Sequence, residues 1–157
     1  MQGDAEIIEV LNEVLTAELT AVNQYFLHGK LCGNWGYDRL AAHSRNESID
    51  EMKHAERVTD RIIYLEGFPN YQRYFPLRIG ETVPEQFEAD LALEVEAIDR
   101  LNRGIELAVA KSDNGTRELF ADILVGEEEH VDWLETQLET IRQIGLENYL
   151  AQQLHDD

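Results

Sequence analysis

The sequence predicts an all-α protein, a four-helix bundle with one long crossover between its second and third helices and a short fifth helix at the C-terminal end. Apolar residues recur at helical spacing along four long segments. The three prolines, at positions 69, 76 and 84, all lie between these segments or at the start of one. The first and last connections are short, whereas the middle one is long, which is typical of a bundle with one crossover.

The first two helices are predicted to form an antiparallel hairpin over residues 4–65. Helix A runs from about residue 4 to 32 and is broken by the sequence GNWG. Helix B runs from about residue 37 to 65 and stops at EGFPN. The extended stretch YQRYFPLRIGE follows and is long enough to run the length of the bundle.

The second hairpin is predicted over residues 82–144. Helix C begins at TVPE, where Thr82 can cap the helix, Glu85 can close a capping box and Pro84 is tolerated in the first turn. It ends near Lys111. Helix D covers about 116–144 and stops at Gly145, and a last helix covers about 146–153. The predicted domain spans residues 1–157.

Composition limits the possible functions. The 157 residues carry a formal net charge of −19, from 32 acidic and 13 basic residues, which argues against nucleic acid and favours attraction of cations. The single cysteine, Cys32, cannot form a disulfide or a thiolate metal site within the chain. The N-terminal stretch has acidic residues where a signal peptide needs positive charge. No apolar run approaches the roughly 20 residues of a membrane span. We therefore expect a cytoplasmic protein that binds no membrane.

Each helix has an apolar stripe that is interrupted near its middle by polar residues. A lone Glu at the edge of such a stripe is common, but here every helix has one, and helices B and D add a His three residues later, on the same face. The interrupting residues are Glu18, Glu51 with His54, Glu94, and Glu127 with His130.

The interruptions repeat along the chain. Glu18 and Glu51 are 33 positions apart, and so are Glu94 and Glu127. A shift of 76 positions carries the first hairpin's three polar residues onto those of the second, including His54 onto His130. Two such hairpins, related by a pseudo-twofold axis, are predicted to bring all six side chains to one central site.

This residue set points to a pair of metal ions. Four buried carboxylates repel one another and are costly to bury unless they are protonated or paired. Two divalent cations would balance their charge, and oxygen ligands with two imidazoles suit iron or manganese. Glu51 and Glu127 are placed to bridge the two ions. Glu18 with His54, and Glu94 with His130, would complete the two ends.

Resemblance to the bacterioferritins is carried by LNEVLTAELTAVNQYFLH, ESIDEMKHA, DLALEVEAIDRL, EEEHVDWLETQL and GLENYLAQQ. It covers essentially the whole chain, and the six-ligand pattern matches residue by residue. The resemblance implies a ferritin-like fold with two iron ions per subunit in a ferroxidase centre. It further implies a homo-oligomeric shell of twenty-four subunits built from dimers, a stored ferric mineral, and one b-type haem for every two subunits, at the dimer interface.

Met52 carries the haem prediction. It lies about 100° round the helix from Glu51 and so faces outward. Leu19, Asn23 and Phe26 are predicted to form a stripe on helix A that also lies off the core and would suit a partner surface. Without the family resemblance, these residues favour the interpretation that Met52 only packs in a dimer interface. The resemblance instead implies that Met52 from each subunit is an axial haem ligand, with those three residues in the haem pocket.

Several positions depart from the family pattern or have more than one interpretation. Arg45 stands where many bacterioferritins have Tyr, which alters the surroundings of the haem. Asn46 replaces a His that in some members binds iron on the cavity wall, so we expect no such wall site, although Glu47 and Asp50 remain. Tyr25 is either a satisfied core residue or a group that hydrogen-bonds the centre and donates an electron during oxidation. Four further residues match an iron-entry pore or are simply exposed polar groups: Asn34, Glu66, Asp132 and Thr136.

The expected function is iron storage with oxidation of Fe(II) by O₂ or H₂O₂, and with a ferredoxin-type electron donor assisting iron release. A rubrerythrin-like peroxidase would share the ligands but needs a Cys-x-x-Cys iron domain, which one cysteine cannot form. A di-iron oxygenase would need an organic substrate pocket. A haem-carrying or purely structural shell would leave the six polar core residues unexplained.

Overall fold

The computed structural model describes residues 1–155 and consists of five helices in the predicted order. They are α1 (Ala5–Asn34), α2 (Asp38–Tyr64), α3 (Val83–Ala110), α4 (Asn114–Ile144) and α5 (Leu146–Ala151). The described residues include no β-strand. The predicted all-α bundle with a long crossover and a short last helix is confirmed. The final two residues of the predicted domain, 156 and 157, lie outside the described range.

Local capping explains where the helices start. The Asp4 carboxylate accepts hydrogen bonds from the backbone N–H groups of Glu6, at 2.8 Å, and Ile7, at 3.3 Å, and so begins α1. Thr82 caps α3 as predicted, because its hydroxyl accepts from the Glu85 N–H at 3.3 Å. The Glu85 side chain accepts from the N–H of Glu81 at 2.8 Å, one residue before the partner expected in a capping box.

Three helix ends differ from the expected positions by about two residues, the first being that α1 continues to Asn34 rather than ending at Cys32. Helix α4 begins at Asn114 because the Asp113 carboxylate accepts from the Thr116 N–H at 3.0 Å. Helix α5 ends at Ala151, since the N–H groups of Gln152 and Gln153 bond to carbonyls only three residues back. Gly145, with φ of +84°, ends α4 where predicted.

The two hairpins pack into one bundle. Helix α1 packs mainly on α2, and α3 on α4, while α1 and α3 join the hairpins and α2 and α4 make little direct contact. Apolar clusters lie on either side of the middle of the bundle. The larger cluster includes Leu11, Val58, Leu101 and Phe120, and the smaller includes Leu40, Phe87, Leu134 and Tyr149.

Leu19 corrects one sequence prediction. Its side chain is only 5% exposed and belongs to the larger core cluster, so placing it off the core was wrong. Leu19 follows Leu15 by four residues, about 40° round the helix, and therefore shares the buried face of α1 with that residue of the same cluster. Asn23 and Phe26 are exposed as predicted.

The crossover, residues 65–82, is held against the bundle by buried polar side chains of α1. Thr20 accepts from the Phe75 N–H at 2.9 Å, Gln24 accepts from the Arg78 N–H at 3.2 Å, and His28 accepts from the Gly80 N–H at 3.0 Å. A Cβ at position 80 would lie 2.2 Å from the backbone nitrogen of Gln86, so only glycine fits there. No helix within residues 1–155 is long and apolar enough to cross a membrane.

Candidate metal centre

The six predicted polar residues meet in the middle of the bundle. Their ligand atoms form two groups, and within each group the atoms lie within 4.8 Å of one another. Glu51 and Glu127 belong to both groups, which is the arrangement expected of two bridging carboxylates. One group is completed by Glu18 and His54, and the other by Glu94 and His130.

Both histidines turn Nδ1 toward the carboxylates. Nδ1 of His54 lies 3.0 Å from an oxygen of Glu127 and 3.5 Å from one of Glu18. Nδ1 of His130 lies 3.2 Å from an oxygen of Glu51 and 3.4 Å from one of Glu94. Each imidazole is therefore oriented to share a metal ion with the carboxylates of its own ligand group.

Tyr25 is attached directly to this centre. Its hydroxyl donates a hydrogen bond to Glu94 at 2.6 Å, and its ring lies edge-on to His130 with centroids 6.3 Å apart. The predicted hydrogen bond from Tyr25 to the centre is thus present. Burial and the negative charge of Glu94 raise the pKa of Tyr25 well above its ordinary value, so the hydroxyl stays protonated and remains a donor.

Electrostatics favour proton uptake by the metal-free centre. Burial raises the pKa of Glu18, Glu51, Glu94 and Glu127, and repulsion from neighbouring carboxylates is the second-largest cause. Burial acts to lower the pKa of His130, but hydrogen bonds to Glu47, Glu51 and Glu94 outweigh it and raise that pKa. Burial also acts to lower the pKa of His54, but the close contact with Glu127 and the negative charges of Glu51 and Glu127 together outweigh it and raise that pKa. In the absence of a metal ion, these shifts favour protons as the balance for part of the carboxylates' negative charge.

The residues present fit a metal pair. Within residues 1–155, several buried atoms of the centre have no partner with hydrogen-bond geometry: Glu18 Oε2, Glu51 Oε1, Glu94 Oε2, both carboxylate oxygens of Glu127, and His54 Nδ1. Leaving such groups unpaired costs free energy that a coordinated cation removes. Carboxylate oxygens with one imidazole at each end favour iron or manganese over a thiolate-seeking metal.

A buried polar network of His28, Asp90 and Gln24 lies beside the centre and was not predicted from the sequence. Nδ1 of His28 lies 2.9 Å from Asp90, and Gln24 donates to the same carboxylate oxygen at 2.8 Å. Because the Gly80 N–H can only donate to Nε2 of His28, Nδ1 carries the imidazole proton and faces Asp90 at ion-pair distance, without the angle of a hydrogen bond. Asp90 lies one turn before Glu94, and His28 lies three residues after Tyr25. The sequence does contain a signal for this network, since Gln24 and His28 on α1, and Asp90 and Glu94 on α3, are polar residues four positions apart.

Apart from Leu19, which is buried, the other predicted site residues lie at the surface. Met52 is 50% exposed on α2, close in sequence to exposed Ile49, and Phe26 of α1 is 48% exposed. Arg45 lines a groove between α1 and α2 together with Phe26. Asn46 is exposed on α2. The four residues matched to an entry pore are all exposed, as either interpretation requires: Asn34, Glu66, Asp132 and Thr136.

The bundle and its carboxylate–histidine centre define the ferritin-like class, and comparison of sequences agrees. The ferritin-like domain profile matches residues 8–144. A bacterioferritin of Mycolicibacterium paratuberculosis is 59% identical over 152 residues, covering 97% of this chain and 96% of the relative. Bacterioferritin BfrA of Mycobacterium tuberculosis is 56% identical over the same shares. A bacterioferritin of Streptomyces coelicolor is 57% identical over 151 residues, covering 96% of this chain and 90% of the relative. The chain belongs to the bacterioferritin family.

Proposed function

We propose that this protein stores iron, and that it oxidises ferrous iron at the six-residue centre before the metal enters a mineral. The carrying observation is that four buried carboxylates and two histidines meet in one centre, where, among residues 1–155, each carboxylate has at least one buried oxygen without a hydrogen-bond partner. A stable scaffold has no use for such groups, whereas two cations satisfy them. Membership of the bacterioferritin family supports the storage role.

Ferrous iron is the substrate of the proposed reaction. Two Fe(II) ions bind between the bridging residues, Glu51 and Glu127, and displace the protons held by the metal-free centre. Each ion then gives up one electron. Two electrons and two protons convert H₂O₂ into two water molecules, or O₂ into H₂O₂. The fixed negative charge of the carboxylates favours Fe(III) over Fe(II) and so promotes the oxidation.

Tyr25 has two proposed roles. Its hydrogen bond orients Glu94, and its phenol is close enough to the centre to supply an electron during oxidation. The contact with the His130 ring places the aromatic group beside one metal position rather than midway between them. The electron-donating role remains a prediction.

Storage requires an enclosed space, which we propose is a shell of twenty-four copies built from dimers in the cytoplasm. The net charge of −19 attracts cations to such an assembly. Oxidised iron then passes from the centre into the cavity as ferric mineral, or stays in place and relays electrons from iron at the mineral surface.

We further propose that Met52 binds haem at the interface of each dimer. The thioether is exposed, whereas the side chain of its neighbour Glu51 is buried in the centre. Phe26 and Asn23 are available on the surface of α1 to line the haem pocket. Haem held there would supply redox chemistry, by which electrons from a ferredoxin-type partner could reach ferric iron for its release.

Metal titration tests the proposal directly. Anaerobic addition of Fe(II) to the metal-free protein, followed by O₂ or H₂O₂ and read by absorbance, should saturate at two ions per subunit before mineral grows. Replacing both Glu51 and Glu127 by Ala should abolish the fast phase, whereas Glu128→Ala, at the exposed residue next to Glu127, should not. Saturation at one ion per subunit, or normal oxidation by the double variant, would contradict the proposal.

A further inference from the structure

The two ends of the metal centre have different surroundings. The shift of 76 positions that carries His54 onto His130 also carries Glu47 onto Ile123 and Asp50 onto Gly126. The ligands are therefore duplicated in the two hairpins, but the residues behind the histidines are not.

His130 is supported from behind by carboxylates of α2. Its Nδ1 faces the centre, while its Nε2 lies 2.5 Å from Oε2 of Glu47, a contact at ion-pair distance that lacks the angle of a hydrogen bond. Asp50 is also close, since the ligand atoms of Glu47, Asp50 and His130 lie within 4.8 Å of one another. A carboxylate on the outer nitrogen of a metal-binding histidine fixes the ring and strengthens its inner nitrogen as a ligand.

His54 has no such support at the corresponding positions. Its Nδ1 faces the centre, but its outer edge faces Gly126, where a Cβ would lie 3.4 Å from both Cε1 and Nε2. The other corresponding residue, Ile123, is buried and apolar. The carboxylate of Asp122, the residue before Ile123, is engaged in an exposed ion pair with Arg57 at 3.0 Å.

Gly126 is unusual for its place in the helix. Glycine in a helix interior costs roughly 1 kcal/mol relative to alanine. A methyl group at this position would only touch the His54 ring at an ordinary contact distance, so close packing does not require glycine here. Because Gly126 has no side chain, the space beside the His54 imidazole is open.

We propose that the two metal positions are inequivalent, with a tight position at Glu94 and His130 and a labile one at Glu18 and His54 through which metal exchanges. This inference rests on the proposed function, since it assumes that both positions bind metal. Loss of the outer partner of a metal-binding histidine typically lowers metal affinity by about 10–100-fold. We expect the two positions to differ by a factor in that range.

Cobalt(II) is a suitable probe because it binds oxygen and imidazole ligands without the oxidation that follows iron binding. Calorimetric titration of the assembled metal-free protein should give two steps of one ion per subunit, with affinities about 10–100-fold apart. His54→Ala should remove the weak step and keep the tight one. Loss of the tight step in His54→Ala would overturn the assignment.

Two further variants alter the outer partners. Gly126→Asp places a carboxylate behind His54 and should strengthen the weak step, whereas Gly126→Ala, the matched control, should not. Glu47→Gln removes the carboxylate behind His130 and should weaken the tight step. A third step that disappears in Glu47→Gln, with the tight step unchanged, would mean that Glu47 belongs to a separate site and would overturn the inference.

The outcomes separate this inference from the function on which it rests. Two equal steps in the unaltered protein would overturn the inequivalence and leave the proposed function intact. Absence of cobalt binding in the unaltered protein would overturn the proposed function itself. An unstable Gly126→Asp variant leaves His54→Ala and Glu47→Gln to decide.

Discussion

At the scale of single residues, Glu127 shows how a side chain can oppose the stability of the metal-free fold and yet serve the metal-bound state. Both of its carboxylate oxygens are buried without a partner of hydrogen-bond geometry. Burial and repulsion from Glu51 raise its pKa, so the charged form is disfavoured in the empty centre. A bound cation reverses that preference, because it needs the deprotonated carboxylate.

Glu127→Gln is therefore expected to separate stability from activity. The amide keeps the shape and removes one negative charge, so the metal-free protein should be as stable as before or more stable, by about 1 kcal/mol or more. Rapid iron oxidation should fall severely, because a bridging ligand holds the two ions at reacting distance. Thermal unfolding and initial oxidation rate should be measured on the same sample, with exposed Glu128→Gln as control. A less stable metal-free variant with unimpaired oxidation would identify the carboxylates as scaffolding.

The same residues predict how stability depends on pH. Glu18, Glu51 and Glu94 have folded-state pKa values raised above 4.5, mainly by burial. Their protonated forms favour folding, so this contribution is full below the unfolded pKa and is lost as pH rises through the raised folded pKa. The melting temperature of the metal-free protein should thus fall as pH increases from 5 to 8. Glu127→Gln should reduce that slope, and an equal slope in the two proteins would contradict the expected sign.

The six residues of the centre could be predicted because each interrupts an otherwise apolar helical stripe, and because the interruptions repeat at equal spacing. His28 and Asp90 could not be assigned in this way. They lie on the α1–α3 face, and their partners include the backbone of the crossover, whose path has no periodic signal. The position of Leu19 was wrong for a related reason: helical spacing alone does not show how broad the buried face of α1 is.

At the scale of whole elements, the crossover depends on buried polar residues rather than on secondary structure of its own. His28 links the crossover to α3, since its Nε2 accepts from the Gly80 N–H and its Nδ1 lies 2.9 Å from Asp90. The helices on either side were predictable to within about two residues from stripes, caps and glycines. The docking of the crossover was not, because it depends on contacts between segments far apart in sequence.

Removal of the His28 side chain should loosen the crossover. His28→Ala leaves the Gly80 N–H without its acceptor and removes the buried imidazole beside Asp90, and an unsatisfied buried group costs about 1–3 kcal/mol. The melting temperature of the metal-free protein should fall by several degrees, at roughly 2–4 °C per kcal/mol for a chain of this size. Exposed His155→Ala serves as the matched control and should change little. Equal melting temperatures for the two variants would show that His28 does not anchor the crossover.

At the scale of the whole molecule, α2 presents two different faces to two proposed cofactor sites. Glu51 is buried in the metal centre, while the next residue, Met52, is half exposed on the outside of the bundle. Exposed apolar side chains of α1 and α2, including Phe26 and Ile49, accompany it. The sequence indicated this division through the angle of about 100° between consecutive helical residues. What covers the outer face depends on a second subunit, which the periodicity of one chain does not describe.

Met52 variants should consequently affect haem and leave iron oxidation largely intact. Met52→Leu removes the sulfur ligand and Met52→His replaces it, so the first should abolish the native haem spectrum and the second should change it. Because the side chain points away from Glu51 and His54, the fast phase of iron oxidation should keep most of its rate.

Ile63→Leu, at another exposed apolar position of α2, is the control and should keep both properties. The measurements are the visible absorption spectrum of the assembled protein and the initial oxidation rate. An unaltered haem spectrum in Met52→Leu would remove Met52 as the ligand. A severe loss of oxidation with an unaltered spectrum would mean that the outer face of α2 acts on the metal centre, contrary to the separation seen in the fold.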